Sequence, residues 1–236
     1  MAKLLSALPV GSVVKSTNTK YNGKVIRWIV GTQDTANGRT GLVTEKMITL
    51  KCFDAKEPSN TNGDRRSYGN NRYSQSNIDQ WLNSQAASWY SARHSYDAPP
   101  NNDNVWSNYN EYDTEAGFLS NFESDFRKAI LDAVIRVAKN TVTDGGGYED
   151  ITRKVFLLSN TEVGLSNENS VAEGTLWSYF SSAARRQCYP TAEAVSNSEY
   201  TNSSLNASSY WYWWLRTPYA SYANLARFVY TDGSLY

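Results

Sequence analysis

Three dipeptides limit what this chain can fold into more than any other feature: Asn22-Gly23, Asn37-Gly38 and Asp232-Gly233. Asn-Gly and Asp-Gly pairs tolerate the positive φ that a tight hairpin turn demands. The first lies between an apolar stretch opening at Val13-Val14 and the run K-V-I-R-W-I-V (24–30). The second leads into G-L-V-T-E-K-M-I (41–48), and the third follows W-Y-W-W-L-R (211–216) and A-R-F-V-Y (226–230). Each of these runs is predicted as a strand. Helical periodicity fills part of the interval between them. Strands, then helices, then strands predict an α+β domain with antiparallel strands, two or three helices and long loops.

Ser76 is predicted to cap a helix, with Ile78, Trp81 and Leu82 as its apolar face and Asn83-Ser84 as its end. Phe122, Phe126, Ile130 and Leu131 recur at helical spacing and predict a helix from Ser120, while 134–137 either continues it or opens a strand. K-V-F-L-L-S (154–159) has the composition of a buried strand. Leu176, Trp177 and Phe180 predict a short helix over 173–184. Segments 53–73, 88–113 and 196–209 carry the asparagine, glycine and serine of loops. The second of these holds six aromatic residues and is expected to pack down on the body.

At 236 residues the chain can bury a substantial core, and one domain over 1–236 is expected. Lys plus Arg total 23, as do Asp plus Glu, so the formal charge is zero. Nucleic acid and acidic membrane surfaces thereby lose their usual electrostatic attraction. No stretch has the length of a membrane span, and Pro9 and Gly11 interrupt the N-terminal apolar run too early for a signal peptide. Cys52 and Cys188 fit no metal spacing, and the choice between two core thiols and a single disulfide stays open.

The tail from Ser208 to Tyr236 has the composition of a recognition surface. It holds six of the seventeen tyrosines, Tyr210, Tyr212, Tyr219, Tyr222, Tyr230 and Tyr236, with Trp211, Trp213 and Trp214. Tyrosine and tryptophan give large contact area at small entropic cost, and serine and asparagine add adaptable hydrogen bonds. A competing reading makes Trp213, Trp214 and Leu215 a core strand, with Arg216 held by a buried carboxylate or by carbonyls. Catalysis has little support. His94 is the only histidine, its neighbours in R-H-S-Y-D are adjacent in sequence rather than converging in space, and no nucleophile elbow, zinc motif or phosphate loop is present. No cofactor is implied. E-P-S-N (57–60) is read as a turn, and whether nearby Asn and Asp bind calcium is left open.

W-W-L-R-T-P (213–218), A-R-F-V-Y-T-D-G-S-L (226–235), Y-G-N-N-R-Y-S-Q-S-N-I-D-Q-W-L-N-S (68–84) and K-V-F-L-L-S-N-T-E-V-G (154–164) together resemble an uncharacterised domain family of bacteria and their phages. Some members are similar to the variable proteins of diversity-generating retroelements, in which a reverse transcriptase rewrites adenines in a C-terminal segment. That resemblance implies a C-type-lectin-like fold. It implies a fixed frame of Leu215, Arg216, Pro218, Arg227, Val229, Asp232 and Gly233. Tyr219, Ser221, Tyr222, Asn224, Phe228, Tyr230 and Tyr236 would be exchangeable. Along 228–230, period-two geometry would bury Val229 and expose its neighbours. Such families usually continue into a closing G-V-R-P strand, so the last strands here are expected to have an open edge.

The expected function is therefore ligand or receptor binding by the tail, through Tyr210 and Tyr212 together with the exchangeable residues. The partner would be a host cell-surface protein or glycan, alongside virion tail proteins, and the location a phage tail or the bacterial cytoplasm before assembly. The rivals are a non-variable virion component and an enzyme acting on cell-wall glycans.

Overall fold

A computed structural model describes residues 4–236. Strands β1 (Val13–Tyr21), β2 (Lys24–Asp34) and β3 (Arg39–Thr44) form an antiparallel sheet in that order. Asn22 and Gly23 close the first hairpin at φ 48° and 76°, the pairing of positive angles a type I′ turn requires. Helix α1 (Gly63–Tyr68) follows within the segment expected to be loop. Its signal was Asn62, whose side chain accepts hydrogen bonds from the Asp64 and Arg65 backbone N–H groups at 3.1 and 3.0 Å.

Helix α2 (Asn77–Leu82) starts where Ser76 predicts it, the serine oxygen accepting from Asp79 N–H. The whole helix is buried, not one face of it. Its one carboxylate, Asp79, is satisfied in the interior by Arg93 at 2.9 Å and Arg153 at 2.6 Å. Helix α3 (Ser124–Ala129) is shorter than the predicted helix from Ser120. Residues 118–121 form a 3₁₀ turn and Phe122 is extended. Phe122 bridges Thr19, and Glu123 N–H donates to Asn18 O at 2.9 Å, so the end of β1 captures the chain there. Leu131, predicted on the buried face, is exposed.

Strands β4 (Ala133–Ala138) and β5 (Tyr148–Arg153) form a second antiparallel pair, which settles 134–137 as strand. The expected strand at 154–159 does not form: Lys154 and Val155 make a bend and 156–159 join no ladder. Side chains satisfy its backbone instead: Asn83 Oδ1 accepts from Lys154 and Val155 N–H at 3.0 and 3.2 Å, and Tyr73 OH accepts from Leu157 N–H at 3.2 Å. The expected helix over 173–184 is also replaced. Glu173 is drawn into the interior, accepting from Ala138 N–H at 2.9 Å and from Thr217 OH. What remains is a 3₁₀ turn at Ser178–Phe180 and helix α4 (Ala183–Arg186).

Helix α5 (Ala192–Ser196) precedes the serine-rich loop, and β6 (Trp213–Pro218) and β7 (Ala226–Val229) form the last antiparallel pair. Two core clusters meet at this pair. One gathers Tyr73, Trp81, Tyr112 and Phe122; the other gathers Leu158, Val163, Phe180, Leu215 and Val229. Trp213 packs on the second and Trp214 on the first, so the core-strand reading of 213–215 holds, with both indoles half-buried. Arg216 is fully buried. It meets Glu162 through both terminal nitrogens at 2.6 and 3.0 Å and donates to the carbonyls of Arg136, Leu157 and Glu173. Both cysteines are free thiols. Burial pushes Cys52 up to about 12 and Cys188 up to about 11, which keeps both protonated and inert at neutral pH.

A candidate binding face on the terminal sheet

The register of β6 and β7 sorts the tail by face. Trp214 lies opposite Phe228 and Trp213 opposite Val229. The Asp232-Gly233 turn, with Gly233 at φ 84°, brings the last residues back against β7. Phe228 and Tyr236 exchange both backbone hydrogen bonds at 3.2 and 2.9 Å, so β7's edge is occupied as far as Tyr236. Trp213, Leu215, Val229 and Leu235 fall on the inner side, in the second core cluster. Tyr212, Trp214, Phe228, Tyr230 and Tyr236 fall on the other.

Those five aromatic residues form a gradient from core to solvent. Trp214 meets Phe53 at 5.9 Å between ring centroids and Phe228 at 5.8 Å. Phe228 then touches Tyr212 at 5.4 Å and Tyr236 at 5.0 Å. Tyr212 and Tyr230 lie 4° from parallel at 6.4 Å. Phe228 is half-buried, Val229 wholly buried, Tyr230 43% and Tyr236 62% exposed. Val229 is thus inward and Tyr230 outward, as alternation predicts, whereas Phe228, expected to be exposed, is half-buried because it packs against Trp214, Tyr212 and Tyr236. Burial, then the neighbouring Tyr200 hydroxyl, drive the Tyr212 phenol above its ordinary range, so it stays a neutral donor.

The remaining expected site residues do not join this group. Tyr219 and Tyr222 sit on the β6–β7 connection, 5.5 Å apart and edge to face. The Arg227 guanidinium lies 3.1 Å from the Tyr219 ring centre and is fixed by Glu168 at 2.7 Å. Ser221 is exposed and Asn224 half-buried on the same connection. Tyr210 stacks on Tyr189 at 4.1 Å instead. The structure also adds residues the sequence reading left out: Tyr109 and Tyr200, 5.7 Å apart, extend the main face through Trp211. Their only sequence signal was an aromatic residue inside a polar loop.

Y-G-N-N-R-Y (68–73) is the support beneath the connection. Asn71 donates through one amide nitrogen to the carbonyls of Tyr219, Tyr222 and Leu225, at 3.3, 2.9 and 2.8 Å. Arg65 Nε donates to Ala223 O at 3.1 Å and pairs with Asp144 at 2.7 Å. Gly69 has φ 81°, and a Cβ there would lie 2.4 Å from Ala55 O, so only glycine fits. Asn70 bridges two buried carboxylates, Asp54 at 3.0 Å and Glu57 at 2.7 Å. Burial pushes the Asp54 carboxyl well above its usual range. His94 stands 3.3 Å from Glu57, bonded to loop neighbours rather than in a triad. E-P-S-N is a turn closed by Asn60 N–H to Glu57 O at 2.8 Å. Among the described residues no group of three or more His, Cys, Asp or Glu side chains could hold a metal ion, and no helix is long and apolar enough to cross a membrane.

The architecture is thus a mixed α+β one, made of several small antiparallel sheets and short helices. The chain belongs to the family described as a domain of unknown function, DUF6273, whose model matches residues 37–236. The match starts after the β1–β2 hairpin and takes in every element of the aromatic face. Comparison with curated proteins gave no match, and comparison with solved structures gave none.

Proposed function

We propose that this chain is a ligand- or receptor-binding protein that acts by recognition rather than catalysis, displaying its C-terminal aromatic face on a C-type-lectin-like frame. In this reading the tail is the variable segment of a diversity-generating retroelement, and the protein works at a phage tail against a host cell-surface protein or glycan. The observation that carries it is the division of β7 and the residues after it. Frame positions Val229 and Gly233 are buried, while Tyr230 and Tyr236 stand exposed on the opposite side. Substitution at such exposed positions costs little stability, and tyrosine, tryptophan and arginine carry most interface energy. A few exchanges can then change the target without unfolding the support.

The test is host-cell binding by the triple variant Tyr212→Ala, Tyr230→Ala, Tyr236→Ala, checked for an unchanged far-ultraviolet spectrum. Binding should fall at least a hundredfold. Full binding by a folded triple variant would remove the reading.

A further inference from the structure

A cavity of about 1320 Å³ runs beneath the aromatic face, between the β2–β3 sheet and the β6–β7 pair. Its inner walls are apolar: Trp28, Ile48, Cys52, Phe53, Phe156 and Trp214. The end nearest the tail is built from segments that backbone bonds hold together. Lys56 N–H donates to Asn104 O at 2.9 Å and Asn71 N–H to Ala223 O at 3.2 Å, which brings 104–109, 68–70 and 223–228 around one opening. Trp106 and Tyr68, each 54% exposed, line the cavity together with Tyr212, Asn224 and Phe228.

None of these five rim residues carries a charge. The ionisable groups set deeper at this end are committed to partners. Lys51 Nζ is held by Glu115 at 2.6 Å between the rings of Trp81 and Tyr112. The Asp54 carboxylate accepts from the backbone N–H groups of Asn70 and Asn77, both at 2.9 Å. The other cations of the lining, Arg39, Lys154, Arg185 and Arg186, stand at the start of β3, after β5 and on α4. An ionised ligand group would therefore find no free counter-charge among the residues at this end, and its desolvation would oppose binding.

We propose that this cavity binds the alkyl or acyl chain of an uncharged amphiphile, entering between Trp106 and Phe228. The volume exceeds the usual span of compact small-molecule pockets, roughly 300–1,000 Å³, and suits a chain better than a single ring. Water in so apolar a space has few partners, so a hydrocarbon chain displaces it favourably. The inference deepens the recognition reading, because Tyr212 and Phe228 serve both the outer face and this rim. The exchangeable side would read the head of the ligand while the fixed interior takes its chain.

The experiment uses the full chain and the neutral dye N-phenyl-1-naphthylamine, displaced by 1-alkanols from butanol to dodecanol. Affinity should rise about fourfold per added methylene, continuing past octanol. Ala226→Leu, which narrows the cavity from a buried lining position, should weaken decanol at least tenfold. Trp106→Ala, an exposed site that does not threaten the fold, should weaken it severalfold. Val142→Ala, at an exposed position outside the lining, should leave it unchanged. Absence of dye binding by the folded chain overturns the proposal. So does affinity that stops rising at four or five carbons, which would assign the cavity to a polypeptide side chain. Host-cell binding that depends on Tyr212, Tyr230 and Tyr236, with no alkanol binding, defeats this inference alone. Alkanol binding with host binding indifferent to those tyrosines defeats the recognition reading alone.

Discussion

At the scale of single residues, the fold turns on polar groups in unusual places. Arg216 was legible as a buried cation because W-L-R-T-P puts an arginine between strand residues; its partner was not, because Glu162 is 54 positions away. Replacing Arg216 by Met strands Glu162 in the interior and should cost about 3–5 kcal/mol in urea unfolding. Asp54 makes a second test. Its folded carboxyl titrates above its unfolded one because of burial. Its contribution is therefore complete below the unfolded range and is lost as pH rises above about 4 toward the folded value. Asp54→Asn, whatever its absolute stability, should lose less stability between pH 4 and pH 7 than the parent. An identical slope in both proteins would contradict this account of Asp54.

At the scale of elements, local signals succeeded where local bonds decide structure. Asn22-Gly23 and Ser76 did what their side chains and backbone angles require. Failures came where a distant group competed. Phe122 left its helical pattern to bridge Thr19 on β1. The 154–159 run looked like a strand because it is apolar, but Asn83 and Tyr73 replaced a neighbouring ladder. No periodicity in the run itself announces that substitution. Asn83→Ala should leave two N–H groups and the Val155 carbonyl without partners and cost about 2–4 kcal/mol. Asn71→Ala should act more locally. Hydrogen exchange at 219–225 should quicken at least tenfold, while β1–β3 stays protected, because three carbonyls of the connection lose their shared donor.

At the scale of the whole molecule, the two core clusters meet at the β6–β7 pair, so its inner side is fixed while its outer side reaches solvent. Composition marked the tail as rich in tyrosine and tryptophan, and alternation placed Val229 inward. Which tyrosines share a face was not legible: Tyr210 turned to Tyr189, and Tyr219 and Tyr222 went to the connection above Asn71. Tyr109 and Tyr200 joined through folding of distant loops. The central claim is that an exchangeable face rests on an indifferent frame. The most direct measurement is thermal melting across a library randomised at the exposed Tyr230 and Tyr236, with Val229 randomised as the matched control. Most members of the first library should melt within a few degrees of the parent, each such substitution staying within about 0.5 kcal/mol, while most Val229 members lose cooperative unfolding or melt well below it. Equal loss in both libraries would contradict the account.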